Sequence, residues 1–277
     1  MLLFLSLLAI TPQPASAEAT QNLVQLEQQL ASLVARKSAD VGIAVLDLKS
    51  GESVNIRGHR SYPMASTVKI AVAATYLAQI ENGQRTYDHR IGGVTASSLM
   101  DRMITRSDNV ATDMLLKDMG GPDTVHQWLA RNQITNIRVD RTIAQLLRAQ
   151  RDLWDKRDSA TPVAMVELLR RIDTGTLLKP DSRSYLLGLM KRCMTGRNRM
   201  KALLPSGTLV EHKTGTLNGL SDDVGFITMP DGRRLAIAIF ARGGTDRPRT
   251  IAEAARAVYD NFYRWLWTPS TVSLSTQ

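Results

Sequence analysis

The chain has 277 residues, of which 43% are hydrophobic, and this excludes a disordered protein and indicates one compact unit or two closely packed subdomains. The net charge is +9, but the basic residues are spread over helical segments without interleaved aromatic residues, which argues against nucleic-acid binding and suits a protein that works near anionic polymers or lipids. Cys193 is the single cysteine, which excludes an internal disulfide and a cysteine-rich metal cluster.

The N-terminal segment predicts export. Residues 1–17 carry no charge, begin with the apolar run Met1–Leu5 and end in the small-x-small sequence Ala15–Ala17. This pattern is typical of a secretory signal peptide, with the mature protein beginning near Glu18. No later stretch reaches the roughly 20 apolar residues that a membrane-spanning helix needs. We therefore expect a periplasmic or extracellular protein without a membrane span.

The rest of the chain has strand-rich ends and a helical middle. The middle, from about residue 67 to residue 189, is dominated by helical patterns that Gly and Pro signals interrupt. The predicted strands span residues 41–48, 53–57, 208–212, 223–229 and 234–241, and the predicted terminal helices span residues 20–36 and 247–267.

Strands at both ends of the chain with helices between them predict an α/β protein of the α+β type. We expect an antiparallel five-stranded sheet, flanked by the N- and C-terminal helices, with an all-helical subdomain packed on one side. The sheet subdomain would comprise residues 18–60 and 190–277, and the helical subdomain residues 61–189. The cleft at their junction is the expected place for a functional site.

Three short motifs follow one another along the chain: Ser-Thr-Val-Lys at 66–69, Ser-Asp-Asn at 107–109 and Lys-Thr-Gly at 213–215. Ser66 precedes an apolar run and is predicted at the N-terminus of a helix, where backbone N–H groups favour developing negative charge. Lys69 would lie one turn later on the same face, where a neutral lysine can take the proton of the serine hydroxyl. Each motif alone also has an ordinary structural explanation as a helix cap or an edge-strand lysine.

Together, the order, spacing and predicted elements of the motifs resemble the class A β-lactamases and the related penicillin-binding proteins. The likeness covers nearly the whole mature chain and extends to residues 139–162, which look like that family's omega loop. It implies a β-lactamase/transpeptidase-like fold and a serine hydrolase of the β-lactamase or D-alanyl-D-alanine peptidase type. The implied substrates are β-lactams or peptidoglycan peptides, with no cofactor, no metal and a monomeric protein.

The resemblance also implies the roles of the residues in the first two motifs. Ser66 would be the nucleophile that attacks an amide carbonyl, and Lys69 its proton acceptor. Ser107 would relay a proton to the leaving nitrogen. Asn109 would hold the side-chain amide of the substrate.

A second group of residues is implied to bind the substrate. Lys213 and Thr214 would bind the substrate carboxylate, with Gly215 completing that motif. The backbone N–H group of Thr216 would form the oxyanion hole together with that of the nucleophile. Arg199 matches a position where some family members support the carboxylate site with an arginine, although its segment is also rich in solvated basic residues.

The omega loop lacks the residues expected to activate water. In the family, a glutamate follows the loop's arginine by two residues, and an asparagine follows that glutamate by four. Counted from Arg141, these positions hold Ile143 and Leu147, and neither side chain can accept a proton. The loop is also slightly longer than usual, which leaves Asp152 and Asp155 as candidate substitute bases.

Three hypotheses follow for the function. The leading one is an enzyme that forms an acyl-enzyme at Ser66 with β-lactams, releases it slowly and natively cleaves D-alanyl-D-alanine peptides. The second is a true β-lactamase that uses Lys69 or a loop aspartate as its base, and the third is a non-catalytic module that binds β-lactams or wall peptides covalently. The histidines lack metal-ligand spacing, His212 is expected to pack beside the site, and Cys193 is expected to be an unpaired thiol without a catalytic role.

Overall fold

The computed structural model describes residues 14–267, with side chains described for residues 21–264. Residues 1–13, which form most of the predicted signal peptide, lie outside the described part. The helices are α1 (Pro14–Ala35), α2 (Lys69–Glu81), α3 (Ala96–Thr105), α4 (Asn109–Met119), α5 (Pro122–Arg131), α6 (Ile143–Arg148), α7 (Pro162–Asp173), α8 (Pro180–Lys191) and α9 (Arg247–Trp267). The strands are β1 (Asp40–Asp47), β2 (Ser53–Ile56), β3 (Tyr62–Pro63), β4 (Arg90–Ile91), β5 (Val94–Thr95), β6 (Ser159–Ala160), β7 (Val210–Leu217), β8 (Leu220–Thr228) and β9 (Arg234–Arg242).

The main sheet has the strand order β2-β1-β9-β8-β7, and all of its neighbouring strands are antiparallel. The predicted five-stranded antiparallel sheet and the α+β class are therefore confirmed. β7 lies at one edge of the sheet, which leaves one row of its backbone groups free for other partners. Two short pairs, β3 with β6 and β4 with β5, lie outside this sheet.

The two faces of the sheet pack against different layers. On β1, Val41, Ile43 and Val45 point to the face that α1 and α9 cover. Ala44, between them, and Phe240 of β9 point to the opposite face and join the core of the helical side. This alternation follows from the two-residue period of a strand, and it buries apolar side chains on both faces.

The central helix of the helical side is α2. Every residue from Lys69 to Ala78 is buried, as expected of a helix that other elements surround. A 3-10 turn, Ala65–Val68, precedes α2 and is called the nucleophile turn below, after the role expected of Ser66. Ser66 lies in this 3-10 turn, which continues directly into α2 at Lys69, so the predicted position of Ser66 at the N-terminus of a helix is confirmed.

The strand that carries the third motif is longer than predicted. β7 begins at Val210 and continues to Leu217, so the Lys-Thr-Gly motif lies inside the strand instead of following it. Buried and exposed side chains do not alternate along most of β7, because the nucleophile turn and α8 both pack against this strand. No helix within residues 14–267 is both long and apolar enough to cross a membrane.

Candidate active site

A cleft of about 490 Å³ lies where the nucleophile turn, the start of α4, β7 and the loop after α8 meet. It brings together residues from all three motifs, and none of the side chains that line it is acidic. The lining residues are Ser66, Ser107, Asn109, Thr195, Gly196, Arg199, Thr214 and Thr216.

The nucleophile turn is held in an unusual backbone conformation. Ala65, just before Ser66, has φ +43°, which is strained for a residue with a Cβ. Thr67 closes the turn, because its N and Oγ1 both donate to the carbonyl of Met64, at 2.9 and 2.8 Å. β7 passes so closely that a Cβ on Gly215 would lie 2.5 Å from the Met64 carbonyl oxygen, so the third position of its motif requires glycine.

Lys69 is fully buried at the start of α2, between the nucleophile turn and the second motif. Its Nζ donates to the carbonyl oxygen of Ser107 and to Oδ1 of Asn109, both at 2.7 Å, and more weakly to Oγ of Ser107 at 3.3 Å. Among the described residues, Lys69 Nζ makes hydrogen bonds to Ser107 and Asn109 but none to Ser66 Oγ. Burial and then the charge of Lys213 lower the pKa of Lys69 to about 7, so near neutral pH a large fraction can accept a proton.

Ser107 lies between the two lysines of the motifs. Its φ of +58° places it outside α4, which begins at Asn109 with Asp108 as its N-cap. Lys213 Nζ donates to Ser107 Oγ at 2.9 Å, and burial lowers the pKa of Lys213 to about 8. The Ser107 hydroxyl therefore connects two buried amines of reduced basicity, which suits a proton relay.

The opposite end of the cleft is lined by one arginine and several threonine hydroxyl groups. Arg199 is buried, and it donates to the carbonyl oxygen of Gly215 at 2.7 Å and to Thr216 Oγ1 at 2.6 Å. Thr214 Oγ1 lies 2.6 Å from Thr195 Oγ1. Thr195 was not among the predicted site residues, although its Thr-Gly sequence just before Arg199 marks a loop beside a candidate binding residue.

The omega segment, residues 139–162, is closed at its neck. Arg141 and Asp158 form an ion pair there, and Asp158 Oδ1 also accepts from the backbone N–H groups of Asp140 and Arg141, at 2.8 and 2.9 Å. The Asp158 carbonyl accepts from Met64 N at 2.9 Å, which ties the neck to the residues just before the nucleophile turn.

The omega segment has apolar residues at the two positions where the resemblance led us to expect water-holding side chains. Ile143 is only 4% exposed and packs in the core of the helical side, while Leu147 is 49% exposed. Asp113 of α4 accepts from Ile143 N at 2.7 Å and from Ala144 N at 2.8 Å, so it caps α6. Asp113 was not among the predicted site residues, although it follows Asn109 by one helical turn on the same face.

The two candidate loop bases have partners elsewhere. Asp152 Oδ1 accepts from Trp154 N at 2.8 Å. Asp155 pairs with Arg157 and with Arg141, at 2.8 and 3.2 Å, and its hydrogen bonds to Arg157 contribute most to lowering the pKa of its carboxyl to about 2. Neither aspartate lines the cleft around Ser66. Across residues 21–264, no group of three or more His, Cys, Asp or Glu side chains is placed to hold a metal ion.

A five-stranded sheet and a cleft that joins Ser-x-x-Lys, Ser-Asp-Asn and Lys-Thr-Gly define the class of penicillin-recognising serine enzymes. The family model described as "Beta-lactamase enzyme family" matches residues 25–262, and the chain belongs to this family of hydrolases.

Named relatives agree with the assignment. Extended-spectrum beta-lactamase PER-1 of Pseudomonas aeruginosa is 29% identical over 281 residues, covering 88% of this chain and 90% of that protein. Beta-lactamase VEB-1 of the same species is 29% identical over 250 residues, covering 78% and 81%. The crystal structure of TLA-1 extended-spectrum beta-lactamase superposes with a TM-score of 0.82 at 28% identity, covering 87% of this chain and 99% of that one.

Proposed function

We propose that this protein is acylated at Ser66 by β-lactams, releases the acyl group slowly and natively cleaves D-alanyl-D-alanine peptides of peptidoglycan. The observation that carries the proposal is Ile143, a buried apolar side chain where the family's omega loop has its glutamate. The absence of acidic side chains among the residues lining the cleft supports it. The uncharged, apolar N-terminus further supports export to the periplasm or the cell exterior, and we propose a monomer.

Acylation requires only groups that lie in or beside the cleft. Lys69 in its neutral form takes the Ser66 proton, and the serine oxygen attacks the substrate carbonyl. Backbone N–H groups of Ser66 and Thr216 stabilise the oxyanion. Ser107, which is hydrogen-bonded to both lysines, passes a proton to the leaving nitrogen as the amide bond breaks. Lys213 and its neighbours bind the substrate carboxylate.

Deacylation needs a base for water, and a missing general base costs on the order of 10²- to 10⁴-fold in the step it serves. The cost falls unequally on the two substrate classes. When a D-alanyl-D-alanine peptide acylates Ser66, the released amino acid diffuses away and leaves room for water or an acceptor amine. The leaving nitrogen of a β-lactam stays tethered to the acyl group and blocks that approach. Persistent β-lactam adducts and turnover of the peptide are therefore compatible in one enzyme.

A second candidate is a β-lactamase in which Lys69 serves as base in both half-reactions. The observation in its favour is the lowered pKa of Lys69, about 7, which keeps a neutral amine available at physiological pH. Asp152 and Asp155 are weaker candidates for that base, because both carboxylates are already bound within the omega segment.

The test is intact-protein mass spectrometry over time after a simple penicillin is added to the mature protein, with Ser66→Ala as control. We expect an adduct that depends on Ser66 and persists for minutes to hours, and release of D-alanine from a D-alanyl-D-alanine peptide in a parallel assay. An adduct that forms and vanishes while penicilloate accumulates would support the β-lactamase. A persistent adduct without peptide cleavage would instead indicate a covalent binding module.

A further inference from the structure

Thr195, in the loop that follows α8, has no role in the mechanism above but contacts a residue that does. Its Oγ1 lies 2.6 Å from Oγ1 of Thr214, the threonine proposed to bind the substrate carboxylate. The distance is that of an O–H···O hydrogen bond. Both threonines line the cleft, so the contact lies in its wall.

The same loop also contacts the methyl group of Thr214. A Cβ on Gly196 would lie 2.4 Å from Thr214 Cγ2, and Gly196 has φ +74°, so this position requires glycine. The glycine backbone therefore packs against the methyl branch of Thr214 while Thr195 contacts its hydroxyl branch. Contacts to both branches select one χ1 rotamer of Thr214, which fixes the position of its Oγ1.

The loop is anchored on both sides of this contact. Met194 N donates to the carbonyl oxygen of Thr105, the last residue of α3, at 2.8 Å. Arg199 donates to the carbonyl oxygen of Gly215 in β7 at 2.7 Å. These bonds tie the loop to α3 and to β7, so Thr195 belongs to a preorganised part of the cleft wall.

We propose that Thr195 is a positioning residue for the carboxylate end of the cleft, which donates to Thr214 Oγ1 and so leaves the Thr214 hydrogen for the substrate carboxylate. This inference rests on the proposed function, because it takes Thr214 as a ligand of that carboxylate. The residue would act through Thr214, and the substrate class that depends on it would be acyl donors with a free carboxylate.

The direction of the hydrogen bond follows from the number of hydrogens available. Each threonine hydroxyl has one hydrogen to donate, and a carboxylate only accepts. When Thr214 donates to the substrate, the hydrogen between the two threonines must therefore come from Thr195. A donor behind Thr214 also polarises its hydroxyl and strengthens the bond to the carboxylate.

Cys193 is the other hydrogen-bonding partner of Thr195 Oγ1 among the described residues. It is a free, buried thiol, as expected of the single cysteine, and its Sγ lies 3.3 Å from Thr195 Oγ1. A thiol is a weak donor and a weak acceptor, so it competes poorly with Thr214 for the Thr195 hydrogen. A deprotonated sulfur would be a stronger competitor, and a Cys193 variant tests for it.

The first experiment measures the rate constant of acylation by a penicillin and by its methyl ester, which lacks the carboxylate charge. Thr195→Ala should lower the rate constant for the penicillin at least about tenfold, because a hydrogen bond to a charged group is weakened. Thr195→Ser, which keeps the hydroxyl, should stay within about threefold of the parent. The ester should change by less than about threefold in both variants.

Thermal unfolding checks that each variant folds, and Thr195→Val replaces Thr195→Ala if the latter does not. Thr135→Ala, which removes an exposed hydroxyl after α5, is the matched control. An equal loss for the penicillin and the ester would indicate a purely structural role and would overturn the proposal, as would an unchanged penicillin rate in Thr195→Ala. Cys193→Ala should stay within about threefold of the parent. A larger rise would show that Thr195 donates to the sulfur, which would also overturn the proposal.

The second experiment separates this inference from the proposed function. In Ser66→Ala, which lacks the nucleophile, equilibrium binding of the penicillin and its ester by calorimetry reports recognition alone. Adding Thr195→Ala should weaken binding of the penicillin about tenfold and binding of the ester less than about threefold. If this difference is found but the parent is never acylated, the proposed function fails and the inference stands. If the difference, or any binding that depends on the carboxylate, is absent, the inference fails.

Discussion

The two sides of the cleft differ in which of the groups expected for catalysis they contain. On the acylation side, Lys69, Ser107 and Lys213 form a connected chain of polar groups in which both lysines are buried. On the side of the omega segment, the structural supports are present, including the Arg141–Asp158 neck, but the position expected to hold the water-activating base is apolar. Closure of the omega segment therefore does not require a glutamate at position 143, because the Arg141–Asp158 ion pair and the backbone contacts of Asp158 hold it.

The largest expected effect is on the acylation side. Lys69→Met should lower the rate of acylation by a penicillin about 10²- to 10⁴-fold, because it removes the general base but keeps most of the side-chain volume. Stopped-flow measurement of adduct formation checks this. Lys117→Met, which changes an exposed lysine on α4, is the matched control. A Lys69→Met rate within tenfold of the parent would show that another group takes the Ser66 proton.

The next largest effect is expected at position 143 of the omega segment, on the lifetime of the penicillin adduct. Ile143→Glu should shorten the lifetime of the penicillin adduct by about 10²-fold, whereas Ile143→Gln, of nearly the same shape, should not, because an amide cannot serve as the base. Adduct decay followed by intact mass is the measurement.

Position 143 is buried, so the folding of both variants is checked by thermal unfolding before decay rates are compared. Equal shortening by Glu and Gln would mean that loosened packing, not a general base, admits the water. If both variants fold and neither shortens the lifetime, the missing glutamate is not what limits deacylation.

The pH dependence of acylation should reflect the two buried lysines. As the pH falls below the pKa of Lys69, about 7, the amine is protonated and the rate should fall about tenfold per pH unit. As the pH rises above the pKa of Lys213, about 8, that side chain loses the charge that binds the substrate carboxylate, and the rate should fall again. The expected profile of the second-order acylation rate constant is therefore a bell between these values, and a flat profile from pH 5.5 to 7 would contradict the role of Lys69.

The sequence predicted those features that depend on local pattern or on the order of motifs. The predicted strands 41–48, 223–229 and 234–241 and the predicted helix 247–267 anticipated β1, β8, β9 and α9. The motif order also predicted which residues meet in the cleft, because the resemblance supplies the long-range pairing that a local pattern lacks.

Features that depend on packing between distant segments could not be predicted. The tip of the omega segment is an example: Arg242 of β9 lies 3.5 Å from the Trp154 ring centroid and donates to the Leu153 carbonyl at 3.2 Å. No residue pattern within either segment indicates that pairing.

The smallest expected effect links the two sides of the cleft. Asp113→Ala removes the acceptor for two N–H groups at the start of α6 and should lower the free energy of unfolding by about 1 kcal/mol, the usual value of a helix cap. Asp113→Asn should cost less, because its amide oxygen still accepts one of the two. Urea denaturation measures both, with the exposed Asp88→Ala as control.

The Asp113 carboxylate also raises the pKa of Lys69, against the larger lowering by burial and by Lys213. Removing the carboxylate should therefore move the acidic limb of the acylation profile to lower pH by a fraction of a unit. A shift to higher pH would show that the carboxylate does not act on Lys69 through its charge. A lower stability without any shift would confine Asp113 to capping α6, and the two sides of the cleft would then be coupled only through the backbone.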